Sequence, residues 1–264
     1  MDEPSYETII VRRGRGVVRV VLNRPEKKNA VDATMWNELA AVLAEVARRD
    51  DDRVLVLSGA GGAFCSGADL SGPRAVDEHP LFTMDRIHGV ALALHRLAKP
   101  VVACVDGDAV GAGCNLALGC DLVLATPRSR FAEIFVRRGL SVDFGGSWIL
   151  PRLIGLHRAK MLCLTGDLVS ARQALEMGLI NEVHEVDRIK GAVDDLVERL
   201  LAGPPVAQAL IKRLLNDGAL STMSEALDAE SSAQVVNIAS GDAAEAREAF
   251  AAKRAPEFTG RWKR

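Results

Sequence analysis

Paired cysteines are missing from this chain. The 264 residues include five cysteines, and none of them belongs to a C-x-x-C pair. An odd number of isolated cysteines is typical of reduced thiols and argues against a disulfide framework or a zinc site. We therefore predict small buried thiols and no metal centre. The five are Cys65, Cys104, Cys114, Cys120 and Cys163.

Excess charge and long apolar runs are also missing. Lysine and arginine number 33 against 35 acidic residues, a formal net charge of -2. Binding to a phosphate backbone needs clustered basic residues that are not neutralised locally, so no nucleic-acid partner is predicted. No apolar run reaches the roughly 18 to 20 residues needed to cross a bilayer, and residues 1–6 are polar and acidic. We expect a cytoplasmic protein with no membrane partner.

Three common catalytic or nucleotide-binding motifs are absent. Gly111 and Gly113 begin a possible G-x-G-x-x-G, but Leu116 occupies the place of the third glycine. No G-x-x-x-x-G-K-[ST] occurs, and Ser66 does not lie in a G-x-S-x-G elbow. Rossmann, P-loop and serine-hydrolase sites are therefore disfavoured.

Hydrophobic periodicity predicts an α/β core. With 48% hydrophobic residues, the chain can bury a large core. Short apolar runs alternate with helical patterns, the first helix being capped by Asp32 and the second starting near Pro80. This alternation indicates an α/β fold with parallel pairing. The predicted strands are 8–13, 16–22, 54–57, 101–105 and 122–125.

The strand signal fades from about Leu153 onward, and helices dominate. The predicted helices are 159–164, 189–201, 206–215 and 223–238, and the break falls at Gly203-Pro204-Pro205. We predict a core domain over 1–202 and a helical C-terminal region over 203–264. About 60 residues bury little by themselves, so the second region is expected to serve oligomerisation.

Two glycine-rich segments each follow a buried strand, at 61–70 and at 107–114. Glycine allows the backbone to approach a ligand closely. The second segment opens a helix, whose first N–H groups have no internal partner and favour an oxyanion. If the two segments face each other, they form a two-donor hole for a thioester oxygen that becomes an enolate. Ordinary tight turns are the alternative interpretation.

Four ordered motifs resemble the crotonase (enoyl-CoA hydratase/isomerase) family over nearly the whole chain. They are Asn23-Arg24-Pro25 with Asn29-Ala30, Phe64-Cys65-Ser66-Gly67-Ala68-Asp69-Leu70, Ala109-Val110-Gly111-Ala112-Gly113-Cys114 with Asp121, and Gly145-Gly146-Ser147 with Leu150-Pro151-Arg152. The resemblance implies a spiral of ββα turns, a homotrimer or homohexamer, and an acyl-CoA substrate. It implies no metal or redox cofactor.

The resemblance also assigns roles to residues. The oxyanion donors would be the N–H groups of Ala68 and Ala112, although many relatives have glycine at the second position. Phe258, in the C-terminal tail, would stack on the adenine of CoA. The other residues expected to line the substrate are Lys27, Lys28, Ala30, Ser66, Asp69, Leu70, Gly111, Asn115 and Phe135. For each lysine, a solvated basic turn is the alternative.

The carboxylates that hydratases of this family use are missing. Their two glutamates fall at Asn115 and Phe135, which cannot serve as bases. Glu133 precedes Phe135 by two residues and would share its face in an extended segment, but we do not expect it to substitute. Asp143 remains, and one carboxylate suffices to move a double bond. A turn residue bonded to the amides of Gly145 and Gly146 is the alternative for Asp143.

We therefore predict an enoyl-CoA isomerase with Asp143 as base, whose pKa an apolar setting beside Phe135, Phe144 and Trp148 would raise. An enoyl-CoA hydratase is one alternative. A hydrolytic, dehalogenase-like enzyme that uses Asp143 with His88 is another, because the spacing of His88 resembles that of the base in dehalogenases. The last is a CoA-thioester binding protein without catalysis.

Overall fold

The computed structural model describes residues 5–71 and 79–260, which form an α/β fold as predicted. The strands are β1 (Ile9–Gly14), β2 (Val17–Leu22), β3 (Val54–Gly59), β4 (Val101–Val105), β5 (Asp108–Val110), β6 (Leu122–Ala125), β7 (Arg130–Ala132), β8 (Val169–Ser170) and β9 (Glu182–Val183). The helices are α1 (Ala33–Arg48), α2 (Pro80–Arg96), α3 (Ala112–Leu118), α4 (Gly146–Ile154), α5 (Leu156–Thr165), α6 (Ala171–Glu176), α7 (Ile189–Leu201), α8 (Pro205–Gly218), α9 (Met223–Ala239) and α10 (Gly241–Ala252).

Two sheets organise the strands. The larger has the order β1-β2-β3-β4-β6-β9, and the smaller has the order β5-β7-β8. β1 and β2 form the predicted antiparallel hairpin, while β2, β3, β4 and β6 pair in parallel. Because parallel strands are covered on both faces, their residues are almost all apolar, as in Val101 and Val102, both fully buried. The carboxyl ends of β3 and β4 lead directly into the two glycine-rich segments, 61–70 and 107–114.

Helix α1 shows how local signals set an element's bounds. The side chain of Asp32 accepts a hydrogen bond from the amide of Met35 (2.9 Å) and so caps the first turn, as predicted. Met35, Leu39 and Val46 recur at helical spacing and are buried. Trp36 of the same helix stacks on Phe144 and so contacts the segment that carries Asp143.

Several short elements escaped prediction. The strands β5, β7, β8 and β9 have only two or three residues each, too few for a period-2 pattern to be seen. Helices dominate after Leu153 as expected, and β8 and β9 are two short strands there that the sequence did not indicate. The predicted strand 54–57 is also two residues longer than expected, since β3 includes Ser58 and Gly59.

The chain divides into two compact units. One comprises Met1–Leu97 and Val101–Asp194, and the other comprises Ala98–Pro100 and Asp195–Arg264. The first contains both sheets, and the second contains α8, α9 and α10. None of the helices in the described parts of the chain is long and apolar enough to span a membrane.

Candidate active site

The two glycine turns touch through their main chains. The amides of Phe64 and Cys65 donate to the carbonyl of Asp108 (3.0 and 2.9 Å), and the amide of Val110 donates to the carbonyl of Cys65 (2.9 Å). A β-carbon on Gly113 would lie 2.5 Å from that carbonyl oxygen, where no side chain fits. The two turns therefore face each other, held by backbone contacts in the first unit.

The amides of Ala68 and Ala112 are neighbours at this junction. Val31 donates to the carbonyl of Gly67 (2.8 Å) and accepts from Asp69 (2.9 Å), so the N–H of Ala68 points away from Val31. Ala112 is the first residue of α3, and first-turn amides have no partner within a helix. A β-carbon on Gly67 would lie 3.8 Å from the nitrogen of Ala112. Among the hydrogen bonds of the described residues, neither amide is a donor.

Asn115, in α3, joins Glu133 and Asp143 in a polar cluster. The Nδ2 group of Asn115 donates to the main-chain carbonyl of Asp143 (2.9 Å) and to Oε2 of Glu133 (3.3 Å). The Oδ1 of Asn115, the Oε1 of Glu133 and the Oδ1 of Asp143 are buried without a hydrogen-bond partner in the described structure. Buried polar atoms are almost always paired, so three orphaned oxygens together make this cluster the candidate site.

Asp143 lies in the loop before α4, where its carboxyl is suited to proton transfer. The amide of Gly146 donates to the carbonyl of Asp143 (3.0 Å), so this turn uses the main chain rather than the carboxyl. Burial raises the pKa of Asp143 to about 6, and the charge of His88 lowers it in part. A carboxyl with this pKa is largely ionised at neutral pH yet is a stronger base than an exposed aspartate.

Glu133 is the residue that sequence reasoning undervalued. The segment is extended only to Ala132, and Glu133 caps a 3-10 helix over Ile134–Arg138. Its side chain nevertheless enters the cluster and is 1% exposed. Burial raises the pKa of Glu133 to about 7, hydrogen bonds from Cys114 and Asn115 lower it, and the charge of Asp143 raises it. The available signal was an acid within the otherwise apolar run 131–135.

Phe135 lies close to the start of α3. A β-carbon on Gly111 would meet the Phe135 ring at 3.7 Å, so this buried ring forms an apolar wall beside the amide of Ala112. The other aromatic residues expected near Asp143 have partners of their own. Phe144 stacks on Trp36 at 5.2 Å between ring centroids. Trp148 meets His95 at 5.1 Å.

The residues expected to hold CoA divide into two groups. Lys27, Lys28 and Ser66 lie together on the surface: the ammonium of Lys28 is 3.4 Å from a carboxylate oxygen of Asp108, and the hydroxyl of Ser66 donates to the carbonyl of Lys27 (3.1 Å). Exposed ammonium groups at one turn are suited to bind phosphate as point charges. Leu70 is 66% exposed, so its apolar side chain is accessible to a substrate.

Asp69 and Ala30 instead support the turn. Arg24 donates to Oδ2 of Asp69 (2.9 Å) and to the carbonyl of Ala30 (2.6 Å). Hydrogen bonds from Ser71 and Arg24 hold the pKa of Asp69 well below its usual range. Arg24 and Asp69 thus tie the first motif of the chain to the loop that presents Ala68.

Phe258 belongs to the second unit. It lines a cavity of about 540 Å³ that is formed by residues of α8, α9 and α10 together with the tail. The tail is anchored by the buried carboxylate of Asp242, which accepts from the amides of Thr259 (2.8 Å) and Gly260 (3.0 Å). A partly buried aromatic ring in this cavity is compatible with a stacking role.

Comparisons with known proteins agree with this architecture. Residues 12–261 match the family model described as enoyl-CoA hydratase/isomerase. The chain is 37% identical to the 1,2-epoxyphenylacetyl-CoA isomerase of Escherichia coli K12, over 97% of this chain and 99% of that protein. It is 31% identical to 4-chlorobenzoyl coenzyme A dehalogenase-2 of Arthrobacter sp., over 87% of this chain and 85% of that protein.

Solved structures show the same fold. The crystal structure of an enoyl-CoA hydratase/isomerase from Cupriavidus metallidurans CH34 matches with a TM-score of 0.90 at 34% identity and covers 99% of this chain and 100% of that chain. An enoyl-CoA hydratase from Bacillus anthracis matches with a TM-score of 0.92 at 30% identity, covering 96% of this chain and 100% of that one.

Proposed function

Because the chain belongs to the enoyl-CoA hydratase/isomerase family, we propose that it moves the double bond of an enoyl-CoA, with Asp143 as the base. The observation that carries this proposal is the half-buried carboxyl of Asp143, whose Oδ1 has no hydrogen-bond partner in the described structure and whose pKa is raised to about 6. It lies in a site where Asn115 and Phe135 stand in place of the two glutamates of hydratases. The 1,2-epoxyphenylacetyl-CoA isomerase named above is a relative with isomerase activity.

The proposed reaction is a proton shuttle. The carboxylate of Asp143 takes a proton from one carbon of the acyl chain, and the electron pair moves through the double bond to the thioester carbonyl. The resulting dienolate oxygen accepts hydrogen bonds from the amides of Ala68 and Ala112, which stabilise it more than the neutral carbonyl. Asp143 then returns the proton to another carbon. The proposed reaction needs no redox cofactor, because oxidation state is conserved, and the two amides supply the stabilisation of the oxyanion that a metal ion could otherwise give.

Substrate binding is proposed to follow the family. Lys27 and Lys28 meet the phosphates, Ser66 and Leu70 contact the pantetheine, and Phe258 stacks on the adenine. We further propose a cytoplasmic homotrimer or homohexamer assembled through the second unit. This is supported by exposed apolar side chains on α8 and α9, namely Ile211, Leu215, Met223, Val235 and Ile238. Light scattering after gel filtration measures the assembly mass.

One assay distinguishes the reactions open to this site. The protein is incubated with 3-enoyl-CoA and with 2-enoyl-CoA in deuterated water, and products are identified by mass. Isomerisation gives the migrated double bond, and hydration adds one water. Binding without turnover would identify a non-catalytic CoA-thioester protein. Hydration remains an alternative because the three orphaned oxygens around Asn115 are acceptors for a water molecule.

Asp143→Asn tests the base directly. Asparagine keeps the volume but cannot accept the proton, so the rate should fall by about 10² to 10⁴ with CoA binding unchanged. Asp167→Asn is the control, since this aspartate is 61% exposed in its salt bridge with Arg137. Full activity of Asp143→Asn on the best substrate would contradict the proposal.

A hydrolytic reaction is the second candidate, supported by the charge interaction between His88 and Asp143. The Arthrobacter relative is named a 4-chlorobenzoyl coenzyme A dehalogenase. In such a reaction, a carboxylate oxygen of Asp143 bonds to the ring carbon, halide leaves with its electron pair, and water deprotonated by His88 cleaves the ester. Halide release from 4-chlorobenzoyl-CoA, lost in His88→Gln, would favour it. No release excludes it.

A further inference from the structure

We propose that Glu133 is a positioning residue of this site: its neutral carboxyl fixes the amide of Asn115 beside Asp143, and its ionisation puts a second negative charge in the buried cluster and disturbs that arrangement. This rests on the proposed isomerisation. It concerns a residue that does not touch the substrate carbonyl and acts through its neighbours.

The geometry fixes Asn115 from three sides. Nδ2 donates to the carbonyl of Asp143 (2.9 Å) and to Oε2 of Glu133 (3.3 Å), so both amide hydrogens are used. Gly146 packs on the amide, since a β-carbon there would lie 2.5 Å from Nδ2 and 2.6 Å from Oδ1. With Nδ2 held by two acceptors, Oδ1 must face the remaining direction, where it is an orphaned acceptor. Glu133 is the side chain that selects this orientation.

The surroundings of Glu133 favour its neutral form. Cys114 and Asn115 face it from α3, Cys163 from α5, and Asp143 from the loop before α4. None of these groups is a cation. His88, on α2, acts on Asp143. In such a pocket a carboxylate has two hydrogen-bond donors and no positive partner, so a second negative charge beside Asp143 is disfavoured.

A pH dependence follows from these two acids. Asp143 must be ionised to accept a proton, and its pKa is raised to about 6. Glu133 must be neutral, and its pKa is raised to about 7. The rate should therefore rise as the pH passes the first value. It should fall above the second, because a second negative charge in the buried cluster disturbs the contacts that hold Asn115 beside Asp143. Because the two carboxyls interact, the apparent pKa values of the rising and falling limbs describe the pair and not either residue alone.

Glu133→Gln isolates this effect. Glutamine keeps the acceptor oxygen for Asn115 but does not ionise. We expect the wild-type rate to drop roughly tenfold or more between pH 6.5 and pH 8.5, as titration of one group near neutrality requires. The variant should stay within about twofold over that range. Glu176→Gln, on the exposed surface of α6, should keep the wild-type profile. A decline above neutral pH that persists in Glu133→Gln would overturn the proposal.

A second variant covers the case in which Glu133→Gln fails to fold. The thiol of Cys114 donates to Glu133 and lowers its pKa. Cys114→Ala removes that donor, so the descending limb should move to higher pH. An unmoved limb would contradict the assignment.

Carbon-13 NMR of labelled glutamate carboxyls provides a measurement that needs no turnover. One resonance should titrate near neutral pH and be missing in Glu133→Gln. If that resonance is present but the protein does not isomerise enoyl-CoA, the proposed function is wrong, whereas the claim that buried Glu133 titrates near neutral pH is kept. If no glutamate titrates near neutral pH, the inference about Glu133 is wrong.

Discussion

Ala112→Pro deletes one oxyanion donor while leaving the helix intact. Proline lacks an N–H, and Ala112 is the first residue of α3, a position that proline tolerates well. The preceding Gly111 has φ 57° and ψ -127°, outside the α region that a following proline disfavours. No helical hydrogen bond is lost, so the usual cost of about 3 kcal/mol for proline inside a helix should not apply.

The expected loss is catalytic. Removal of one such donor typically lowers kcat by about 10² to 10³, or about 3 to 4 kcal/mol of transition-state stabilisation. Ala112→Gly is the matched control, because glycine retains the N–H and removes only a methyl group. We expect its kcat to stay close to that of the wild type.

Enolate formation is measured as exchange of the acyl α-proton with deuterated water, and its loss appears as slower exchange. Thermal melting verifies that the variant is folded. Titration with CoA tests whether the proline ring obstructs binding. A folded Ala112→Pro variant that binds CoA normally and keeps kcat within about threefold of the wild type would refute the oxyanion assignment, because the reaction could not then depend on that amide.

Two further predictions concern stability. The pKa of Glu133 is raised to about 7 from an ordinary 4.5, so folding takes up a proton and the free energy of unfolding falls as the pH rises from about 4.5 to about 7. Glu133→Gln should therefore raise the free energy of unfolding at pH 8 by up to about 3 kcal/mol. If urea denaturation shows no such gain, the burial of the Glu133 carboxyl is contradicted. Gly146→Ala places a carbon 2.5 Å from Nδ2 of Asn115 and 2.6 Å from Val142, so it should cost about 1 to 3 kcal/mol and lower activity. Gly191→Ala, with open space around it, is the control, and equal melting temperatures would contradict the packing.

The larger elements could be predicted because their signals are local. Strand β4 and helix α7 have the predicted bounds, Val101–Val105 and Ile189–Leu201. In each, apolar spacing and flanking proline or glycine suffice to set the type of element. The cap at Asp32 was predictable for the same reason, since the capping hydrogen bond joins residues close in sequence.

The chemistry of Glu133 could not be predicted in this way. Its contacts are with Cys114 and Asn115, 19 and 18 positions earlier, and they depend on how a 3-10 helix turns after Ala132. Alignment by motif compares positions along the sequence, whereas the site depends on where each side chain points in the folded chain. Helix α4 was missed for a related reason: Pro151 lies inside it, and proline predicts a helix boundary from sequence.

The backbone contact between the glycine turns makes thioester binding independent of the choice of acyl group in the proposed function. A β-carbon on Gly107 would lie 2.0 Å from the carbonyl oxygen of Gly62, so the spacing of the turns depends on peptide groups and on no rotamer. In the proposed function, the acyl end is instead built by side chains from another stretch, 133–148. Substitutions in that stretch can therefore change which acyl group reacts, while the amides that bind the thioester keep their positions.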